Sequence, residues 1–128
     1  MTEPVWLPVS LILKIHEEQL RRHGGGVGIR DEGLLDSALA RPLNAYSYGV
    51  SDICELGALY AAGIIKNHPF VDGNKRTGYI AGRLFVETNG LRLVAPQEER
   101  LAYTLMLAAG KIDETAFGDW LKANTEAL

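Results

Sequence analysis

The residues best suited to chemistry fall within nine consecutive positions, 68–76, which read HPFVDGNKR. His68 is a candidate general base, because imidazole is the side chain that enzymes most often use to accept a proton from a hydroxyl. Asp72 is a candidate magnesium ligand, since Mg²⁺ is commonly held by one or two carboxylates together with substrate phosphates. Lys75 and Arg76 are adjacent cations. Together these residue types point to chemistry on a phosphate.

The flanking pattern predicts that this stretch joins two helices. His68 should end the first helix, because the residue before a proline is disfavoured in helical conformation. Asp72 and Gly73 form a turn dipeptide, and Asn74 is the predicted cap of the second helix. A helix N-terminus is an anion site, and cations in its first turn oppose the helix dipole. We therefore expect a bound anion there, with Gly73 allowing a phosphate oxygen to approach the backbone.

Apolar periodicity and capping signals predict one all-α domain of six helices over residues 1–128, with room for a minimal β-pairing at the N-terminus or near 91–94. Arg41 and Pro42 should stop the second helix, which leaves 44–50 as an irregular loop. The third helix is apolar almost all round its middle, so it should be central and buried. The predicted helices span 8–23, 31–41, 51 or 52 to 67, 74–88 and 96–110, and the sixth starts at 113. The predicted N-caps are Asp31 for the second helix, either Ser51 or Asp52 for the third, and Asp113 for the sixth.

Composition narrows the class of protein. A chain of 128 residues with 47% hydrophobic residues fits one globular domain. One cysteine excludes an internal disulfide and suits a reducing compartment. No apolar run reaches the length of a membrane span, and the N-terminus does not resemble a signal peptide, so the cytoplasm is the expected location and no membrane contact is expected.

The distribution of charge indicates the kind of ligand. The whole chain carries a formal net charge of −3, which argues against direct nucleic-acid binding. Residues 64–83 nevertheless contain four cations and one anion, Asp72. This concentration of positive charge suits a small anionic ligand better than a long polyanion. The cations are Lys66, Lys75, Arg76 and Arg83.

Other candidate motifs are weaker. Residues 16–20 begin with His16 and Glu17, as the zinc motif HExxH does. Position 20 is leucine, however, so the second histidine ligand is absent. Cys54 lies in an apolar helix and is assigned to core packing. Arg30, next to Asp31, could belong to a surface pair or to the rim of a binding site, and the sequence does not choose between them.

The nine-residue stretch resembles the signature of the Fic/Doc family, HPFx(D/E)GN(G/K)R, and Lys75 is the variant found in its Doc (death-on-curing) branch. The similarity extends over nearly the whole chain, including the predicted six helices, the Ile15-His16 and Gly24-Gly25 pairs, and Asn89-Gly90. Membership would imply a compact helical Fic/Doc fold.

The resemblance also implies a function. Doc-like proteins are toxins of toxin–antitoxin modules that transfer the γ-phosphate of ATP to a threonine of elongation factor Tu and so block translation. His68, Asp72 and Arg76 would then be the catalytic residues, with Asp72 holding Mg²⁺ or helping to orient the base. Gly73, Asn74, Lys75 and Arg76 would hold the ATP phosphates, with Lys66 as a further nucleotide contact.

Two alternatives stay open at this point. Fic enzymes typically transfer AMP to a protein hydroxyl, and Pro69 and Gly73 match that general pattern. A Fic-like fold could also serve as a non-catalytic binding module. The family's self-inhibition motif, (S/T)xxxE(G/N), is absent because Leu56 follows Ser51 to Glu55. Inhibition is therefore expected from a separate Phd-like antitoxin whose disordered segment folds onto the toxin.

Overall fold

The computed structural model describes residues 2–128, and it confirms an all-α fold. Six helices account for most of this length, and two three-residue strands complete the secondary structure. The elements are α1 (Val9–His23), α2 (Glu32–Ser47), α3 (Ile53–Asn67), α4 (Asn74–Thr88), β1 (Leu91–Leu93), α5 (Gln97–Ala108), α6 (Glu114–Ala123) and β2 (Thr125–Ala127).

Helix α2 corrects the sequence prediction at its C-terminal end. The helix does not stop at Arg41 and Pro42 but continues to Ser47, so most of the predicted loop at 44–50 is helical. A proline inside a helix costs about 3 kcal/mol, because the ring clashes with the carbonyl four residues earlier and the N–H is missing. Here that carbonyl belongs to Ala38, which packs against Gly63 of α3, where a Cβ would lie 3.0 Å from it. Pro42 is itself buried, so packing against α3 outweighs the local preference.

Helix α3 is the central element, as its apolar composition predicted. Asp52 caps it by accepting a hydrogen bond from the Glu55 N–H at 3.0 Å. Most residues of the helix are buried, and the two apolar clusters of the core lie on its two sides. Glycines bring α4 into close contact with it, since a Cβ on Gly82 would lie only 2.9 Å from the carbonyl oxygen of Gly57. The motif loop therefore joins two helices whose relative position is fixed by packing.

The predicted β-pairing near 91–94 is confirmed, and its partner is at the C-terminal end of the chain. Strands β1 and β2 pair antiparallel, with Leu91 opposite Ala127 and Leu93 opposite Thr125. Between residues 2 and 128, no strand pairs at the N-terminus. In the same range, no helix is long and apolar enough to cross a membrane.

Candidate active site

His68 is the residue at which helix α3 ends. Its backbone adopts the left-handed conformation, with φ 52° and ψ 54°, and its N–H donates to the carbonyl of Ile64 at 3.1 Å. Within residues 2–128, no other non-glycine residue has a positive φ. This conformation costs roughly 1–2 kcal/mol for a residue with a Cβ. The chain therefore holds the candidate base in a backbone conformation that it would not adopt by itself.

A cleft of about 970 Å³ lies beside His68, between the start of α4 and one face of α5. It brings together every predicted site residue of the motif. Its lining from the motif consists of His68, Asp72, Gly73, Asn74, Lys75 and Arg76. The geometry thus collects a candidate base, a carboxylate and two cations around one open space.

Helix α4 presents an N-terminus to this cleft without a side-chain cap. Gly73 occupies the cap position in a left-handed conformation with φ 80°, and the first intrahelical bond runs from the Thr77 N–H to the Gly73 carbonyl at 3.0 Å. The prediction that Asn74 caps the helix is wrong, since no side chain does so. The first amides of a helix have no intrahelical acceptor, so this end can bind an anion.

The Asn74 side chain instead fastens the motif loop. Its Oδ1 accepts a hydrogen bond from the Phe70 N–H at 3.0 Å, and its Nδ2 donates to the Phe70 carbonyl at 3.0 Å. Both residues are buried, with Asn74 only 4% exposed. This two-way bond engages both the oxygen and the nitrogen of the side-chain amide with the backbone of Phe70. Asn74 therefore shapes the loop, and its backbone N–H is what it contributes to the helix N-terminus.

Asp72 is held by two separate contacts. Its Oδ2 accepts a hydrogen bond from the Gly26 N–H at 2.6 Å, and its carbonyl oxygen accepts one from the His16 Nε2 at 2.8 Å. Within the described part of the chain, no group of three or more metal-binding side chains is present. A cation that takes one carboxylate oxygen from the protein and the rest from phosphates and water is compatible with this arrangement, and Mg²⁺ is such a cation.

His16 is a site-supporting residue that the sequence did not reveal. Its ring stacks on the ring of Phe70, with centroids 3.8 Å apart and an interplanar angle of 9°. Because Nε2 bonds to a carbonyl oxygen, that nitrogen carries the proton. The sequence holds one signal of this role: His16 comes four residues after Ile12, which places both on the buried face of α1. Placing that face against the motif loop requires the tertiary structure.

The segment 24–31, here called the strap, runs antiparallel to the motif loop. The Val71 N–H donates to the Gly28 carbonyl at 3.1 Å, and Ile29 and Phe70 form a β-bridge. The backbone N–H groups of Arg30 and Asp31 both donate to the Pro69 carbonyl, at 2.6 and 3.0 Å. The strap therefore holds the backbone of the motif loop at three consecutive residues, Pro69, Phe70 and Val71.

Lys66 is not brought to the cleft. Its ammonium lies 3.4 Å from the carboxylate of Glu114, which also pairs with Arg41 at 2.9 Å. A hydrogen bond from its own backbone N–H, opposed by burial and reinforced by Arg41, holds the pKa of the Glu114 carboxyl below its ordinary value. Glu114 is thus a stable anionic partner for Lys66. The structure gives Lys66 this ion pair and no place in the lining of the cleft.

The wall of the cleft opposite the motif is contributed by α5 and is more apolar. Leu101 and Leu105 are exposed there, and Thr104 lies beneath them. Arg100 also borders the cleft, but its guanidinium bonds to the Ala95 carbonyl at 2.8 Å and to the hydroxyl of Tyr79 at 3.2 Å. The cleft therefore has a cationic end at α4 and an apolar wall at α5.

Comparison with known proteins gives a consistent result. A sequence model of the Fic/DOC family matches residues 6–86. The chain is 43% identical over 86 residues to "Toxin Doc" of Mycolicibacterium smegmatis (strain ATCC 700084 / mc(2)155), an alignment that covers 65% of each chain. It is 29% identical over 112 residues to "Protein kinase doc" of Escherichia phage P1, covering 87% of this chain and 88% of the phage protein.

Proposed function

This chain belongs to the Fic/DOC family, and on that premise we propose that it is the toxin of a toxin–antitoxin module. In this proposal it transfers the γ-phosphate of ATP to a threonine hydroxyl of elongation factor Tu and thereby blocks translation. The names of the two relatives, one a toxin and one a protein kinase, support both parts of the proposal. The lysine at position 75, the variant of the Doc branch, also supports a kinase.

The observation that carries the proposal is the polarity of the cleft. One end combines an uncapped helix N-terminus with Lys75 and Arg76, and the opposite wall exposes Leu101 and Leu105. A nucleoside triphosphate has the same division, with several negative charges at one end and a flat, largely apolar base at the other. Phosphates would lie at α4 and the base would contact α5. His68 then stands at the phosphate end, where a hydroxyl must arrive.

His68 would act as the general base. As the threonine oxygen forms a bond to the γ-phosphorus, the bond from that phosphorus to the β–γ bridging oxygen breaks and ADP leaves. The hydroxyl proton moves to the imidazole of His68. Phosphoryl transfer depends mostly on positioning and charge stabilisation, so Lys75 and Arg76 would contribute by stabilising negative charge on the transferred group.

Asp72 would provide the protein ligand for Mg²⁺. Its Oδ2 is bonded to the Gly26 amide, and among the described residues no protein donor bonds to Oδ1. The bound cation would neutralise charge on the ATP phosphates. The strap contact on Oδ2 would fix the carboxylate so that Oδ1 stays directed away from the strap.

Transfer of AMP is the second candidate, because Pro69 and Gly73 match the general Fic pattern. The backbone of Gly73, however, has φ 80°, a conformation that favours glycine whichever reaction takes place. Lys75 has no comparable local explanation, because a cation in the first turn of α4 opposes the helix dipole. We therefore favour γ-phosphate transfer. The length and the positive charge of the Lys75 side chain would orient the triphosphate.

A Phd-like antitoxin would be the regulatory partner. The chain lacks the self-inhibition motif of the family, so inhibition by a second protein is expected. A disordered antitoxin segment that folds into a helix on binding would suit this role.

The proposal is tested by label transfer. The protein is incubated with Mg²⁺, elongation factor Tu, and ATP labelled at either the γ- or the α-phosphate. We expect label on the factor from the γ position alone, and none with His68→Ala. Lys75→Gln should reduce transfer, whereas Lys14→Gln, an exposed lysine on α1, should leave it unchanged.

Each other outcome has a definite meaning. Label from the α position would establish AMP transfer and reject the assignment of Lys75 as a kinase determinant. No label, together with growth arrest on expression that depends on His68, would reject elongation factor Tu as the target. Growth arrest that survives His68→Ala would reject catalysis and favour the non-catalytic binding module.

A further inference from the structure

We propose that Arg30 is a positioning residue, which holds His68 in its left-handed backbone conformation and so directs the imidazole toward the cleft. This inference rests on the proposed role of His68 as the general base. Arg30 would not touch ATP or the target hydroxyl. Its action would pass entirely through the backbone at the end of α3.

The contacts that carry the inference are three hydrogen bonds to three consecutive carbonyls. The Arg30 Nε donates to the His68 carbonyl at 2.7 Å, and its Nη2 donates to the Asn67 carbonyl at 3.0 Å. The Arg30 backbone N–H donates to the Pro69 carbonyl at 2.6 Å. One residue of the strap thus engages the backbone on both sides of His68 as well as His68 itself.

The chemistry of a helix end explains why an arginine suits this place. The last carbonyls of a helix have no intrahelical donor and carry the negative end of the helix dipole. The guanidinium is a rigid, planar and permanently charged donor that can bond two neighbouring oxygens at once. A lysine could reach one of the two carbonyls but could not bridge them in a fixed geometry.

The conformation of His68 gives these bonds a mechanistic consequence. The direction of a carbonyl is set by ψ of its own residue, so a bond that fixes the His68 oxygen fixes ψ at the observed 54°. The left-handed region is unfavourable for a residue with a Cβ. Without the guanidinium, His68 can relax toward a more favourable region, and its side chain then leaves the orientation set by the cleft.

Two observations separate this role from simpler ones. Arg30 is absent from the lining of the cleft, and its guanidinium is engaged by the His68 and Asn67 carbonyls instead. Nor is it engaged as a surface partner of Asp31, whose Oδ1 accepts the Leu34 N–H at 2.9 Å as the cap of α2. The side chain of Arg30 therefore serves the end of α3.

The experiment compares Arg30→Ala and Arg30→Lys with Arg21→Ala, which removes another exposed arginine that pairs with Glu18. We expect kcat for label transfer to fall about 10- to 100-fold in Arg30→Ala, because small displacements of a catalytic group have effects of that size. The KM for ATP should not change. Arg30→Lys should be intermediate, and Arg21→Ala should match the unmodified protein.

Two further measurements distinguish the loss of this positioning from a general loss of structure. Guanidinium ion, added far below denaturing concentration, should restore part of the activity of Arg30→Ala and none of that of His68→Ala. The chain has three histidines, so their imidazole signals can be assigned by NMR. The signals of His68 should shift or split in Arg30→Ala while those of His23 stay in place.

The NMR measurement decides the inference even if the target or the reaction has been misassigned. If the unmodified protein transfers no label, the proposed function fails, and the His68 signals still report whether Arg30 holds this residue. Unchanged His68 signals in folded Arg30→Ala would overturn the inference, whatever the activity. Unchanged kcat would overturn it as well. If Arg30→Ala does not fold, the same two criteria apply to Arg30→Lys.

Discussion

Replacement of Asn74 by alanine separates two roles that the motif residue could have. If its side chain binds phosphate, Asn74→Ala should weaken ATP binding and leave the free protein as stable as before. The structure favours the other role, because the amide makes both of its hydrogen bonds with the backbone of Phe70. We therefore expect Asn74→Ala to destabilise the protein before any ligand is added.

The magnitude follows from burial. Phe70 is fully buried and Asn74 is 4% exposed, so water cannot replace the lost amide without rearrangement of the loop. A buried polar group left without a partner costs about 1–3 kcal/mol, and two such groups with partial relaxation give roughly 2–4 kcal/mol. The entropy of unfolding of a chain of this length is about 0.27 kcal/mol/K, which converts that loss into a Tm lower by roughly 7–15 °C.

The assay is thermal and urea unfolding of the ligand-free protein, followed by KM and kcat for label transfer. Asn44→Ala is a matched control, because Asn44 is an exposed asparagine within α2. Asn74→Asp keeps the shape and the acceptor for the Phe70 N–H but directs a carboxylate oxygen at the Phe70 carbonyl. It should therefore be at least as destabilising near neutral pH.

The reasoning would be refuted by a Tm of Asn74→Ala within about 2 °C of the Asn44→Ala control. A higher KM for ATP in a protein of unchanged stability would identify the Asn74 side chain as a phosphate ligand. The two-way bond to Phe70 would then have no measurable role in holding the loop.

Two further predictions concern the packing around the site. Gly82→Ala should destabilise the protein by about 1–3 kcal/mol in urea unfolding, since its Cβ would lie 2.9 Å from the Gly57 carbonyl. Gly118→Ala is the control, because the nearest atom to its Cβ would be 3.4 Å away, and it should be neutral or stabilising by up to about 1 kcal/mol. An equal loss in both would contradict the close approach of α3 and α4. His16→Phe keeps an aromatic ring but removes the donor to the Asp72 carbonyl, so label transfer should fall about 10-fold, together with a loss of about 1–3 kcal/mol in urea unfolding. Unchanged transfer would show that this hydrogen bond does not position Asp72.

The fold was predictable wherever local signals and tertiary packing agree. Asp31 and Asp113 cap the helices for which the sequence predicted them, and Asp52 rather than Ser51 caps α3. The prediction failed at Pro42, where the local rule for proline is correct but weaker than the burial of α2 on α3. That burial depends on Gly63, which comes 21 positions later in the chain, and no local pattern connects the two residues.

The candidate site divides in a similar way. The residues that line the cleft from the motif are consecutive, so one stretch of sequence revealed them together. His16 and Arg30 were missed as supporting residues, because each acts on the motif across a large sequence separation. The local pattern at His16 suggests an incomplete metal motif, and the sequence around Arg30 fits a surface pair as well as a binding rim. Their roles depend on which carbonyls face them, and that is a property of the folded backbone.

The motif itself combines two kinds of residue. His68, Lys75 and Arg76 present exposed side chains at the cleft, whereas Phe70 and Asn74 are buried and bond to each other. Substitutions in the first group should change the reaction of a folded protein, and substitutions in the second should first change its stability. Loss of activity alone therefore does not identify a catalytic residue anywhere in the motif. A stability measurement on the same variant is what separates a group that reacts from one that holds the loop in place.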